Sequence, residues 1–160
     1  MKKEYFDQML FIMQDNPNAY LIFVGLGYPR LDEFLKEFPD RAINTEASEQ
    51  AALDIAVGLA YSGKIPFVYS ITPFLLWRGA ETIRTYINHE NLNVKLIGAG
   101  RDDDYSKEDG FSHDAYDAPT LLSACMPNIK QHYPTDSKYI KKLLEEMVKS
   151  RQPEFLSLTR

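Results

Sequence analysis

A glutamate at position 49 heads a run of small residues, Gln50-Ala51-Ala52 and on to Gly58-Leu59-Ala60. Acids are favoured in a first helical turn by about 0.3–1 kcal/mol, so a plain structural role competes with any chemical one. The chemical role is proton sharing, because a carboxyl on this side chain can reach a ring nitrogen at short range. Phe74 and Trp77 lie further along. Such aromatics can wall a flat ring and exclude water, although residues three apart on one helix face more often pack a core. His113 can donate to a carbonyl oxygen or relay protons near neutral pH. Asp109 can accept from a hydroxyl, but Asp109-Gly110 is also a common turn pair.

Other site chemistries find less support. The three histidines stand at 89, 113 and 132 without paired metal-ligand spacing. Asp102-Asp103-Asp104 lacks the calcium-loop pattern and reads as a solvated loop. Cys125 has no catalytic motif around it and reads as core. Gly25-Leu26-Gly27 lacks the third glycine of a dinucleotide fingerprint.

The elements that must position these residues alternate between strand and helix. Helices are predicted over 4–13, 31–38, 49–61, 74–88, 119–125 and 137–149. Pro29 and Pro39 bracket the second, and Gly63 stops the third in a left-handed conformation. Strands are predicted over 20–24, 41–44, 67–70, 94–97, 129–132 and 154–158, with a polar loop over 102–114. This rhythm predicts an α/β fold, a mostly parallel sheet covered on both faces in a three-layer sandwich. Ligands of such sheets gather beyond the carboxyl ends of the strands, where both Glu49 and the 102–113 loop would lie.

At 160 residues the chain is about one domain, 1–160, and 44% apolar content supports a core. A net charge of −5 with no basic block argues against nucleic acid or an anionic membrane as partner. A lone cysteine forbids an intrachain disulfide. With no signal-peptide pattern at Met1-Lys2-Lys3-Glu4, a cytoplasmic location is expected. No apolar run approaches the roughly 18 residues of a membrane helix.

Several ordered blocks together resemble one family. Arg41-Ala42-Ile43-Asn44 leads to Glu49-Gln50, then Gly58-Leu59-Ala60, Pro66-Phe67-Val68 and Phe74-Leu75-Leu76-Trp77-Arg78. Glu108-Asp109-Gly110-Phe111-Ser112-His113 and Met126-Pro127-Asn128-Ile129 follow. This order resembles the pyrimidine-binding domain of transketolases, thiamine-diphosphate enzymes, over about residues 18–160. The resemblance implies the thiamine-diphosphate-binding fold of that domain. It implies that Glu49 hydrogen-bonds the aminopyrimidine nitrogen para to the amino group and favours the imino tautomer. It also places Phe74 and Trp77 against the pyrimidine, with Asp109 and His113 facing the substrate, a sugar or sugar phosphate.

The family's diphosphate-binding domain carries a Gly-Asp-Gly…Asn motif that holds Mg2+, and nothing here matches it. The resemblance therefore implies a split enzyme, a hetero-oligomer in which a partner chain holds Mg2+ and the diphosphate. The small residues Ala51, Ala52, Ala56, Gly58 and Ala60 suit either that interface or packing within the domain. Thr45-Glu46-Ala47-Ser48, Gly25-Leu26-Gly27 and Arg101-Asp102-Asp103-Asp104-Tyr105 depart from the family pattern. The leading expectation is transfer of a two-carbon ketol unit between sugars. The alternatives are another thiamine-diphosphate enzyme (a 2-oxo-acid decarboxylase or dehydrogenase, or a deoxyxylulose-phosphate synthase) and a non-catalytic interaction module.

Overall fold

Short, mostly apolar runs bounded by glycine, proline and polar residues become the strands β1 (Ala19–Phe23), β2 (Ala42–Asn44), β3 (Ile65–Ile71), β4 (Lys95–Ala99) and β6 (Glu154–Leu158), and the polar β5 (Lys130–His132) lies at the sheet edge. The computed structural model describes residues 1–25 and 28–160. Of the Gly25-Leu26-Gly27 segment, Leu26 and Gly27 therefore lie outside the described residues. The strands form one sheet in the order β2-β1-β3-β4-β6-β5, and every pair is parallel. The order reverses between β1 and β3, the kind of switch point beyond which such sheets bind ligands.

Period-two alternation along β3 sends Phe67 and Tyr69 to one face and Val68 to the other. The first face is covered by α1 (Lys2–Asp15), α2 (Pro29–Glu37) and α7 (Ile140–Lys149). The second is covered by α3 (Glu49–Tyr61), the segment 74–88 and α6 (Ala118–Cys125). Two apolar layers thus enclose the sheet, as the strand–helix rhythm predicts. No helix among the described residues is long and apolar enough to cross a membrane.

Three expectations are corrected. The segment 74–88 is not one α-helix. It comprises a π-helical turn Phe74–Arg78, a short α4 (Ala80–Thr82) and a second π-helical turn Ile83–Asn88. Gly79 separates them, at φ −99 and ψ 11. A Cβ on Gly79 would stand 1.8 Å from Leu53 Cδ1, so the absent side chain lets this segment lie directly on α3. The 102–114 loop contains α5 (Ser106–Asp109) and a 3-10 turn Phe111–His113. Cys125 is exposed, because Ala118, Leu122 and Met126, spaced by four, form the buried side of α6.

The amino end of the sheet carries a buried charge network. Lys95 Nζ lies 2.9 Å from Glu154 Oε1, and neither side chain reaches solvent. His132 Nε2 meets Glu154 Oε2 at 2.6 Å, and Lys95 also donates to the Gln152 carbonyl at 2.7 Å. Burial alone would raise the Glu154 carboxyl. Hydrogen bonds from His132 and Lys95, with the Lys95 charge, overcome that and hold it at about 2. Burial lowers the Lys95 ammonium despite its bond to Glu154.

Candidate functional site

Glu49 is the first residue of α3, and Ser48 caps that helix by accepting from the Ala51 N–H at 3.3 Å. β2 ends at Asn44 and β3 reaches its own carboxyl end near Ser70, so the two meet at one rim of the sheet. Glu49 is only 2% exposed. Its Oε1 accepts from the Ser70 hydroxyl at 3.1 Å, and its Oε2 accepts from Arg78 Nη1 at 2.8 Å. A carboxylate out of water is costly unless paired and hydrogen-bonded, and here both oxygens are engaged.

Phe74 and His113 come together, their rings 4.8 Å apart and edge to face. The Arg78 guanidinium covers Phe74, its Cζ 4.2 Å from the ring centroid. Glu49, Ser70, Arg78, Phe74 and His113 thus form one connected cluster. It places a buried carboxylate beside an aromatic ring, with a cation and an imidazole in reach. Such a group of side chains can bind a flat, nitrogen-bearing ring and hold a proton on it.

Trp77 lies apart from that cluster's contacts. It is 52% exposed, and its indole N–H donates to Asp117 Oδ2 at 2.9 Å. The wider π-helical turn takes the residue three after Phe74 off the shared face and leaves the fourth, Arg78, on it. Asp109 ends α5, exposed, and lines a cavity of about 200 Å³ with Lys2, Tyr28, Tyr69 and Tyr105. Tyr69 faces the α1 layer, so this cavity opens on the other side of the sheet from Glu49.

The departures from the family pattern have local explanations. Glu46 is exposed, and its carboxylate accepts from Asn44 Nδ2 at 3.3 Å. Arg101 turns inward, donating to the Ser157 carbonyl at 2.7 Å and to the Pro134 carbonyl at 3.0 Å. Of the small residues on α3, Ala52 and Ala56 are buried within the domain, while Gly58 faces open space. Sequence reasoning missed two members of the cluster. Ser70 had a signal, as the one hydroxyl within the strand Ile65-Pro66-Phe67-Val68-Tyr69-Ser70-Ile71 that is not on a ring. Arg78 had one as well, since a residue four after Phe74 shares its side of a helix.

Residues 17–160 match the family profile of the transketolase pyrimidine-binding domain. The chain belongs to that family. A Methanocaldococcus jannaschii relative, provisionally named a transketolase C-terminal section, is 29% identical over 100% of this pyrimidine-binding chain and 50% of its own length. One of the subunits of an apulose-4-phosphate transketolase from Phocaeicola vulgatus is 25% identical over 99% of this chain and 51% of its own. A solved structure described as a split gene transketolase, inactive β4 tetramer, superposes with a TM-score of 0.86 at 26% identity, over 99% of this chain and 50% of that one. The chain spans about half the length of these relatives.

Proposed function

We propose that this chain is the pyrimidine-binding part of a split, thiamine-diphosphate-dependent transketolase-like enzyme that transfers a two-carbon ketol unit between sugars. The observation that carries the reading is the buried Glu49 carboxylate, held between Ser70 and Arg78 beside the Phe74 ring. The donor set fits an aminopyrimidine. An acid shielded from water can share a proton with a ring nitrogen, and an aromatic face can take the ring. The names of two relatives, one a transketolase subunit and the other a split gene transketolase, support the split arrangement.

Bound thiamine diphosphate supplies the carbon that accepts and returns the ketol unit. Glu49 holds the proton at the pyrimidine nitrogen and sets the ring's protonation state. Phe74 provides the apolar wall, and Trp77, turned out to Asp117, takes no part in it. His113, against Phe74, donates to or relays a proton for the substrate carbonyl, whereas Asp109, whose cavity opens on the other side of the sheet, is left out of this site. Mg2+ and the diphosphate belong to a partner chain with the Gly-Asp-Gly…Asn motif, since magnesium favours phosphate and carboxylate oxygens.

The test is to reconstitute the chain with such a partner and measure ketol transfer from ketose phosphates. Glu49→Gln is expected to lower kcat by roughly 10²–10⁴ while the complex still assembles. Full activity in the Gln variant rejects the role of Glu49. Tight binding of thiamine diphosphate and Mg2+ by the isolated chain rejects the split site.

A further inference from the structure

One guanidinium covers both features that the proposed pyrimidine site uses. Arg78 Nη1 donates to Glu49 Oε2 at 2.8 Å, and the same group lies over the Phe74 ring at 4.2 Å. A guanidinium is planar, delocalised and rich in N–H, so it pairs with carboxylates and stacks on aromatic faces. An aminopyrimidine in contact with Glu49 and Phe74 would use the same oxygen and the same ring face. The two planar groups cannot both be there.

We propose that Arg78 is a built-in stand-in for the pyrimidine ring, closing the Glu49 pocket until the ring displaces it; this rests on the reading of Glu49 given above. Glu49 is fixed in the first turn of α3 and keeps Ser70 as its other partner. Arg78 is the movable member, with its side chain 52% exposed at the edge of the cluster. Among the described residues, its guanidinium makes no hydrogen bond except the one to Glu49. Removing Arg78 alone leaves a buried carboxylate short of a partner, which is costly. A ring nitrogen that shares with Glu49 a proton taken up from solvent cancels that cost. The exchange therefore favours a ligand with both a flat face and a ring nitrogen. Arg78 is in this sense a positioning residue that keeps Glu49 aligned.

Thiamine, which carries the pyrimidine without the diphosphate, is the probe. It is titrated to tens of millimolar into the wild-type chain, Arg78→Ala and Arg78→Lys, with NMR signals of Phe74, Glu49 and the Arg78 guanidinium followed. In the wild type, saturation is expected to free the guanidinium, seen as faster rotation about its Nε–Cζ bond. Arg78→Ala is expected to bind thiamine up to about fivefold tighter, the scale of one partly exposed ion pair. Arg78→Lys, which keeps the charge and loses the flat face, falls between. Equal or weaker binding by Arg78→Ala, or a guanidinium still locked at saturation, overturns the stand-in and leaves the pyrimidine reading in place. No thiamine response at Phe74 or Glu49 in any chain overturns the stand-in, while the pyrimidine reading falls separately, on full activity of Glu49→Gln in the reconstituted pair. If Arg78→Ala does not fold, the wild-type guanidinium signal and the Lys variant still decide.

Discussion

Ser70 Oγ and Glu49 Oε1 lie 3.1 Å apart, buried on both sides of the contact. The bond fastens the carboxyl end of β3 to the first turn of α3, so one hydroxyl fixes where the site's acid points. Ser70→Ala takes a donor from a buried carboxylate without changing side-chain volume much. Loss of a hydrogen bond to a charged group costs about 1.5–3 kcal/mol, and urea unfolding is expected to show a loss in that range. Ser70→Thr keeps the hydroxyl and is expected to recover most of it. An unchanged midpoint in the Ala variant would mean that Oε1 does not depend on Ser70.

The pair at the other end of the sheet behaves differently. Lys95 and Glu154 are both fully buried, so removing one leaves an uncompensated charge. Lys95→Met and Glu154→Leu are each expected to cost about 3–5 kcal/mol. Lys95→Met combined with Glu154→Leu is expected to cost much less than the sum, because no charge is then stranded. Denaturant unfolding of the three variants checks this; additive losses would show that the two charges act independently.

Much of the fold is legible in the sequence because local and tertiary signals agree. α3 begins at Glu49 and ends at Tyr61, as predicted, since Ser48 caps it and Gly63 takes φ 77 just beyond. The inner strands β1 and β3 are largely apolar on both faces, which is how a doubly covered parallel sheet reads. The site is legible only in part. Glu49, Phe74 and His113 fall into one cluster, but Arg78 replaces Trp77 beside Phe74. Periodicity assumes an α-helical repeat, and the π-helical turn at Phe74–Arg78 breaks that assumption. Cys125 misled for a related reason: a free cysteine is usually buried, but here the helix phase alone sets its exposure.

Gly79 tests how the 74–88 segment is held against α3. A Cβ there would overlap Leu53 Cδ1 at 1.8 Å and lie 3.1 Å from the Leu75 carbonyl. Leu53 is itself buried, so it has little room to move. Gly79→Ala is expected to destabilise the chain by about 1–3 kcal/mol through overpacking. Adding Leu53→Ala relieves the overlap, so the double variant should lose less than the two single losses together. A neutral Gly79→Ala would show that the segment shifts freely.

Cys125 gives a quick check on the phase of α6. An exposed thiol reacts with a disulfide reagent in the native state, whereas a buried one waits for unfolding. One equivalent of thiol per chain is expected to react without denaturant. Labelling that appears only in denaturant would put Cys125 back in the core and rotate the helix.

Acid stability should report on Glu154. Its folded carboxyl sits at about 2, below its ordinary value of 4.5, so the native state holds fewer protons there than the unfolded chain. Stability from this group is therefore fully present above about pH 4.5 and is lost as pH falls towards 2. The source is the set of hydrogen bonds from His132 and Lys95, which outweighs the penalty of burial. Thermal unfolding is expected to show Tm falling steeply between pH 4.5 and 2. Glu154→Gln removes the titrating group, so its curve should start lower and be flatter through the same window. Wild type and variant falling in parallel would assign the acid sensitivity to other carboxylates.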